Sequence, residues 1–289
     1  MKLQAVIVLY KQLLAGSETI STLLELADQA RELNLEIELL LYDNSPEAQD
    51  WNHPIKEKIP VIYVHDTSNG GLVPAYNRAL ALAKAKGIEW IFLLDQDTPL
   101  SIRYFEALSS ALHQHQSDQR IAAFVPHIQV RGKYIAPSWF QGGVHRHLKP
   151  NWHGVAEKAI TTINSAAVIR VSFVDSIGEY NNQYPVNFLD YWFFREVYRR
   201  GKMVWVLDCD LEHGLSVANR DTFPSVARYQ DIIRREGIFY RSNHSLVWSA
   251  VFWSRLMLRG AKHYIVFKDK GYSRAAFSYF WQEFVLRSR

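Results

Sequence analysis

The sequence predicts an α/β protein in three layers, with a mostly parallel central sheet and a helical extension at its C-terminal end. Through the first hundred residues, short apolar runs alternate with amphipathic helical patterns, which is typical of a parallel sheet covered by helices on both faces. Beyond about residue 220 the pattern turns helical, aromatic and basic. We therefore expect a sheet domain at residues 1–220 and an extension at residues 221–289.

Each element follows from a local pattern. Residues 3–10 form a short apolar run rich in β-branched side chains, which indicates a buried first strand. A helix is predicted at residues 17–34, because Ser17 and Glu18 make a cap-like start and apolar residues recur on one helical face. Pro74 and Gly87 mark the two ends of an Ala-rich helix. The other predicted strands cover 35–45, 61–66, 90–97, 121–130 and 202–208; the other helices cover 101–115 and 187–201; residues 159–178 are a strand and then a helix; and 131–160 are irregular.

Composition limits the class of protein. The chain has 289 residues, of which 48% are hydrophobic, so there is ample material for a large core. Cys209 is the single cysteine, which excludes a disulfide framework and favours a reducing compartment. The first apolar run closes at Lys11, too early for a signal peptide, and no apolar run approaches the roughly 20 residues of a membrane span. We therefore expect a cytoplasmic protein.

Charge is distributed unevenly along the chain. Residues 228–289 carry 12 Lys or Arg against 4 Asp or Glu, a net charge of +8. The whole chain carries a net charge of +4, so the preceding residues are net acidic. The two regions are expected to face different partners.

Polar residues stand where the predicted strands end. They are Tyr10, Asp43, Asn69 with Gly70 and Gly71, and Asp95 with Asp97. Any one of them could be an ordinary turn residue. Because ligands of open α/β sheets bind beyond the carboxyl ends of the strands, four such ends favour a shared crevice.

The segment "WIFLLDQDTPL" ends a buried strand in two acids, Asp95 and Asp97. The residues allow three interpretations: a solvated turn, a carboxylate dyad for acid–base chemistry, or a site for Mg²⁺ or Mn²⁺ that in turn binds a diphosphate. A cation between the acids would remove their repulsion and neutralise phosphate charge. The position at the end of an apolar strand favours the metal site.

Two further residues have both a structural and a functional interpretation. His213 follows a later strand and is either a surface histidine or a third metal ligand. Asp190 begins a strongly aromatic helix, where an acid is favoured by the helix dipole. It could equally be a partly desolvated general base for an attacking hydroxyl.

Taken in order, the motifs resemble those of the family 2 glycosyltransferases with the GT-A, Rossmann-like fold. The segments that carry the resemblance, between about residues 3 and 230, are "VIVLY", "YDNS", "SNGGLVPAYNRAL", "FLLDQDT", "INSAAVIR", "FLDYWFFREVYRRG" and "LEHGLS". Within the family they are most similar to the bacterial rhamnosyltransferase-like enzymes of O-antigen and capsule assembly.

The resemblance implies roles for individual residues. It places the nucleotide at Tyr10, Asp43, Asn69, Gly71, Asn77 and Arg78. It makes Asp97 a ligand of Mg²⁺ or Mn²⁺, Asp95 a contact to ribose or metal, and His213 a third metal ligand. The base is Asp190, because it aligns with the second acid of the family's Glu-Asp pair.

The chain departs from the family pattern at two positions. Leu189 replaces the first acid of the pair, and Phe193 stands where many rhamnosyltransferases carry a further acid. Glu196 remains an alternative base. The departure weakens the assignment of the donor more than that of the reaction class.

The implied reaction is an inverting, metal-dependent hexosyl transfer from dTDP-rhamnose to a lipid-linked oligosaccharide of a surface polysaccharide such as lipopolysaccharide. Arg78 or Arg228 would add positive charge at the diphosphate, unless either simply forms a surface ion pair. A UDP-hexose such as UDP-galactose is the alternative donor. A non-catalytic nucleotide-sugar-binding subunit and a nucleotidyltransferase are the alternatives in function.

The basic extension has three interpretations. Residues 244–260 suit an amphipathic helix that packs on the sheet domain. The same helix could instead rest peripherally on the anionic inner face of the cell membrane. Nucleic-acid binding is disfavoured, because the extension contains no recognition motif.

Overall fold

The computed structural model describes residues 1–141, 144–213, 224–242 and 245–286. Its strands are β1 (Lys2–Leu9), β2 (Glu36–Asp43), β3 (Val61–His65), β4 (Trp90–Asp95), β5 (Ile121–Val130), β6 (Lys133–Ala136), β7 (Ser138–Gln141), β8 (Val144–His147), β9 (Gly154–Ala156), β10 (Ile160–Thr161), β11 (Ala167–Arg170) and β12 (Met203–Glu212). Its α-helices are α1 (Glu18–Glu32), α2 (Ile55–Lys58), α3 (Leu72–Lys86), α4 (Ile102–His115), α5 (Val171–Ser176), α6 (Leu189–Arg199), α7 (Val226–Arg241), α8 (Leu246–Val266) and α9 (Gly271–Phe280).

The central sheet has the strand order β3-β2-β1-β4-β11-β5-β12-β9, and β6 pairs with the C-terminal end of β5. Strands β3, β2, β1 and β4 run parallel, as do β5 and β12. Strand β11 enters antiparallel between β4 and β5. The predicted class, an α/β protein with a mostly parallel sheet, is confirmed. A small antiparallel sheet, β10-β7-β8, lies beside it.

The two faces of the central sheet build two separate cores. Side chains alternate along β1, so that Ala5 and Ile7 join the core under α1 and α4, whereas Val6 and Val8 join the core under α3 and α6. Both faces are therefore buried, which is why the strands read as continuous apolar runs.

The helix ends follow from local hydrogen bonding. The side chain of Ser17 accepts from the backbone N–H of Ile20 at 3.3 Å and begins α1. Ser101 caps α4 through the N–H of Tyr104 at 3.2 Å. Gly87 ends α3 with φ 64°, a left-handed conformation that favours glycine.

The structure corrects the sequence-based prediction in two places. Residues 131–160 are not irregular throughout, because they contain β6, β7, β8 and β9. Strand β12, predicted at 202–208, continues to Glu212, and His213 follows it directly. The boundary expected at residue 220 lies outside the described residues.

The C-terminal helices pack on the sheet domain. Tyr229 and Phe239 of α7, Phe252 of α8 and Ala276 of α9 belong to the same buried cluster as Val6 of the central sheet. Packing of the extension, one of its three interpretations, is therefore observed. In the described residues, no helix combines the length and the apolar character that crossing a membrane requires.

Candidate active site

The polar strand ends meet at one edge of the central sheet. Because β2, β1 and β4 are adjacent and parallel, Leu9 pairs with Asp43 and Val8 pairs with Asp95 at their carboxyl ends. The loop after β1 is fixed to the loop after β4, since the backbone N–H of Tyr10 donates to Oε1 of Gln96 at 2.9 Å. The polar ends of these neighbouring strands are thus adjacent at this edge, as the sequence predicted, and a ligand crevice between them stays a prediction.

Asp95, Asp97 and His213 converge at that edge. One potential ligand atom from each lies within 4.8 Å of the other two. Nε2 of His213 is 3.2 Å from Oδ2 of Asp95 and 4.0 Å from Oδ1 of Asp97. His213 comes from the end of β12, 118 residues after Asp95, so only the folded chain brings the three together.

The charges in this cluster are poorly balanced by the protein itself. His213 is the only ion-pair partner of either acid among the described residues. Burial raises the pKa of Asp97 against the lowering effect of His213, and the charge of Asp95 raises it further. Burial lowers the pKa of His213, but Asp95 and Asp97 outweigh it, so the pKa of the imidazole lies above its usual value.

The donor set of this cluster fits a divalent cation. Two carboxylates supply the hard oxygen ligands that Mg²⁺ and Mn²⁺ prefer, and an imidazole nitrogen is an accepted third ligand for Mn²⁺. A cation bound among them would relieve the repulsion between Asp95 and Asp97. The cluster can therefore hold Mg²⁺ or Mn²⁺ and, through it, the phosphates of a nucleotide.

Asp190 lies in the first turn of α6. Phe188, the residue before the first residue of this helix, has φ 67°, an uncommon conformation for a bulky residue. The backbone N–H of Tyr191 donates to Oδ1 of Asp190 at 2.8 Å. Burial raises the pKa of Asp190 to about 7, and the charge of Asp95 contributes to the rise. A carboxylate with a pKa near neutrality is suited to general-base catalysis.

The other residues of the same helix have different roles. Leu189 and Phe193 are fully buried, and Phe193 packs against Phe173 at 5.6 Å between ring centroids, so both departures from the family pattern serve the core. Glu196 is also buried and forms ion pairs with Arg195 and Arg199 at 3.5 and 3.0 Å. Its carboxylate is therefore occupied by two guanidinium groups.

Asp43 is buried and heavily hydrogen-bonded. Its carboxylate accepts from the N–H of Ser45 at 2.9 Å, from Nε2 of Gln49 at 2.9 Å and from the hydroxyl of Tyr63 at 2.8 Å. Burial acts to raise the pKa of Asp43, but these hydrogen bonds outweigh it and the pKa is lowered. Trp51, which is 37% exposed, stacks on Tyr63 at 5.8 Å and adds an aromatic surface beside this acid.

Gly71 and Asn77 hold the chain around residues 180–185 against α3. Gly71 has φ 82°, and a Cβ there would lie 2.3 Å from the carbonyl oxygen of Pro185. Oδ1 of Asn77 accepts from the N–H of Tyr180 at 2.9 Å. These contacts give both residues a structural role, and their nucleotide contacts stay predictions.

The remaining predicted residues are placed as follows. Asn69 lies in the turn before α3 with φ 48°, whereas Arg78 on α3 and Tyr10 after β1 are exposed. Arg228 is exposed in the first turn of α7. No direct contact joins these side chains to the Asp95 cluster in the described part of the chain.

The structure adds two residues that sequence reasoning missed. Oγ of Ser165 donates to Oδ2 of Asp95 and lies 2.8 Å from Nε2 of His213. Tyr76 is fully buried, and its hydroxyl lacks a hydrogen-bond partner among the described residues. Burial raises the pKa of Tyr76, and the charges of Asp95 and Asp190 raise it further. Only the segment "INSAAVIR" could have signalled Ser165, and nothing in the sequence distinguishes Tyr76 from a core tyrosine.

Comparison with known proteins agrees with this geometry. The model of the family described as Glycosyl transferase family 2 matches residues 5–178. Among curated proteins, none matches the chain.

Several solved structures share the fold. S. aureus TarS superposes with a TM-score of 0.55 at 15% identity over 93% of this chain, and the chain spans only 44% of that structure. TarS 1-349 in complex with UDP-GlcNAc gives 0.53 at 16% identity, covering 100% of this chain and 77% of that one. TarS 1-349 in complex with UDP gives 0.53 at 17% identity, covering 98% and 92%. At these identities the likeness establishes a GT-A-like fold.

Proposed function

The chain belongs to glycosyltransferase family 2, and from that premise we propose that it moves a sugar from a nucleotide-sugar donor to an acceptor hydroxyl with inversion at the anomeric carbon. The observation that carries the proposal is the convergence of Asp95, Asp97 and His213 at the sheet edge. The reaction also needs a general base for the acceptor hydroxyl, and Asp190, with its pKa of about 7, is proposed to serve as that base.

The reaction is a single in-line displacement. The acceptor oxygen forms a bond to the anomeric carbon, the bond from that carbon to the diphosphate oxygen breaks, and the nucleoside diphosphate leaves with the electron pair. Asp190 takes the proton of the attacking hydroxyl. When bound by Asp95, Asp97 and His213, Mg²⁺ or Mn²⁺ would neutralise the charge that develops on the leaving diphosphate.

The side chains around this centre position the donor. Ser165 fixes the carboxylate of Asp95 through its hydrogen bond. For the nucleobase of the donor, Asp43 offers a polar contact and the exposed ring of Trp51 offers a stacking contact. The rest of the nucleotide site is proposed to be lined by Tyr10, Asn69, Gly71, Asn77 and Arg78.

The donor is proposed to be dTDP-rhamnose, on the resemblance of the ordered motifs to rhamnosyltransferases. UDP-hexoses are the second candidate, supported by the TarS complexes with UDP and UDP-GlcNAc. The acceptor is proposed to be a lipid-linked oligosaccharide of O-antigen or capsule assembly, which would place the enzyme on the inner face of the cell membrane. A non-catalytic subunit would not need a base held near neutrality, and Asp190 therefore favours turnover.

The test is donor turnover by the full chain with Mn²⁺. Purified protein is incubated with dTDP-rhamnose, UDP-galactose, UDP-glucose and UDP-GlcNAc separately, and release of nucleoside diphosphate is measured with and without EDTA. We expect one donor to be hydrolysed slowly in water, with EDTA abolishing the release. Asp28→Asn, which changes an exposed acid paired with Lys58, is the matched control and should keep full activity. Absence of metal-dependent release from all four donors would contradict the proposal.

A further inference from the structure

Helix α8 is apolar on two opposite faces. One face is buried in the core through Phe252, Trp253, Leu256, Gly260 and His263. The opposite face consists of residues spaced three and four apart, all exposed and all uncharged: Val247, Ala250, Ser254, Leu258, Ala261 and Ile265. We call these six residues the outer stripe of α8. A helix on a solvated protein surface normally places charged residues there.

The outer stripe is strongly exposed along the whole helix. Val247 is 65% exposed, Leu258 72% and Ile265 82%. Leu246 and Val266, at the two ends of α8, are 89% and 61% exposed. From position 247 to position 265 the helix extends about 27 Å. Isolated exposed apolar residues are common on protein surfaces, but a continuous stripe of this length indicates an interaction surface.

The charges beside the stripe identify the partner. Helix α8 contains no Asp or Glu, and its exposed cations Arg255 and Lys262 directly follow stripe positions 254 and 261, so both border the same edge. Lys268 continues this basic border beyond the end of the helix. An apolar stripe edged by cations fits the boundary between acyl chains and anionic headgroups. A second copy of the chain packed on the same face would bring these cations together without an acid of α8 to pair with them.

Helix α8 begins close to the candidate base. Trp248 of α8 contacts Phe140 at 5.1 Å between ring centroids, and Phe140 contacts Tyr191 at 5.6 Å. Tyr191 directly follows Asp190 and donates its N–H to that carboxylate. The N-terminal end of α8 is therefore joined to the base by two aromatic contacts.

We propose that the outer stripe of α8 docks on an anionic lipid bilayer, with the helix axis parallel to the surface and Arg255 and Lys262 among the headgroups. The inference deepens the proposed function and rests on it for its purpose, since it brings the side of Asp190 to the membrane in which a lipid-linked acceptor lies. The docking itself requires no turnover, so it can be tested separately.

The experiment measures binding of the full chain to vesicles by co-sedimentation. Vesicles of phosphatidylethanolamine with phosphatidylglycerol are compared with vesicles of phosphatidylcholine alone. Leu258→Glu/Ile265→Glu places two acids on the stripe, and Leu13→Glu/Val144→Glu is the matched control, because it places two acids at exposed apolar positions elsewhere. Lys262→Gln removes one bordering cation.

We expect the wild type to bind the anionic vesicles more tightly than the neutral ones. The stripe variant should lose at least about tenfold in affinity, since two apolar contacts become charged, and Lys262→Gln about fivefold for the anionic vesicles alone. The control variant should bind as the wild type does. Because all substituted positions are exposed, circular dichroism and donor hydrolysis should be unchanged in every variant.

Three results would overturn the docking proposal: no vesicle binding by the wild type, equal loss in the stripe and control variants, or a wild-type dimer that the stripe variant converts to monomer without any effect on vesicles. Vesicle binding without donor hydrolysis by the wild type would contradict the proposed function and leave the docking surface in place. Donor hydrolysis without vesicle binding would do the reverse.

Discussion

The two sides of the candidate active site are built in different ways. On the donor side, carboxylates at strand ends are fixed by short hydrogen bonds, as when Asp43 accepts from Ser45, Gln49 and Tyr63. On the side around Asp190, which is proposed to face the acceptor, the wall is aromatic and is held by ring packing, in which Tyr191 contacts Phe140 at 5.6 Å and Phe239 at 5.8 Å.

The two sides should therefore differ in how sensitive they are to substitution. A site fixed by hydrogen bonds to carboxylates depends on individual atoms, because each buried polar group left unpaired costs about 1–3 kcal/mol. A wall fixed by packing depends on volume and tolerates changes that preserve it. Asp190 combines both properties, because it is a single carboxylate that lies within the aromatic side.

The largest expected effect is at Asp190. Asp190→Asn keeps the volume and the oxygen that accepts from Tyr191 but removes the base, so kcat for transfer should fall by about 10²- to 10⁴-fold. Glu196→Gln should leave kcat of the folded enzyme within about tenfold of the wild type, because that carboxylate is bound by Arg195 and Arg199. Steady-state kinetics of both variants measure the contrast. Equal losses would remove Asp190 from its proposed role.

The same residue predicts a pH signature with two parts. Asp190 acts as a base only when ionised, so the wild-type rate should fall as pH drops below about 7. Its folded-state pKa is raised above the usual value, so protonation favours the folded state. The metal-free wild type should therefore lose stability as the pH rises from about 4 to about 7. Asp190→Asn cannot ionise and should therefore melt at a higher temperature than the wild type at pH 8 but not at pH 4. A variant less stable than the wild type at pH 8 would mark Asp190 as a structural residue.

A smaller effect is expected at Tyr76. Tyr76→Phe removes a fully buried hydroxyl that has no partner in the described protein, so the free energy of unfolding should stay the same or rise. A bound donor cannot reach this buried hydroxyl, so KM for the nucleotide sugar should stay within about twofold of the wild-type value. Thermal unfolding and donor kinetics measure the two outcomes. A rise in KM of about tenfold would contradict the assignment of Tyr76 to the core.

The longer strands and the acids at their ends could be predicted because their signals are local. Continuous apolar runs located β1 to β4, and the acids that end them located Asp43, Asp95 and Asp97. The antiparallel insertion of β11 between β4 and β5 left no such signal, since periodicity describes one strand at a time and not its neighbours. Strands β6 to β9 have three or four residues each, too few for any period to emerge.

The sequence offered membrane contact as one interpretation of residues 244–260, but neither the exposed face of α8 nor Ser165 could be identified without the structure. Ser165 gains its meaning only from the distance to His213, a residue 48 positions later. A helix that is apolar on two faces has the same composition as a fully buried helix, so the sequence does not reveal an exposed apolar face. Only the packing of α8 on α7 and α9 shows which face is covered.

The most direct test of the central claim is a calorimetric titration of nucleoside diphosphates into the wild type and into Asp97→Asn, each with Mn²⁺ and with EDTA. UDP and dTDP are the ligands, so the result does not depend on the sugar or the acceptor. We expect the wild type to bind one of them at least about tenfold more tightly with Mn²⁺ than with EDTA, and Asp97→Asn to lose that difference. Binding that is equal with and without metal, or equal in the two proteins, would contradict the assignment of Asp95, Asp97 and His213 as the site that holds the diphosphate through a cation.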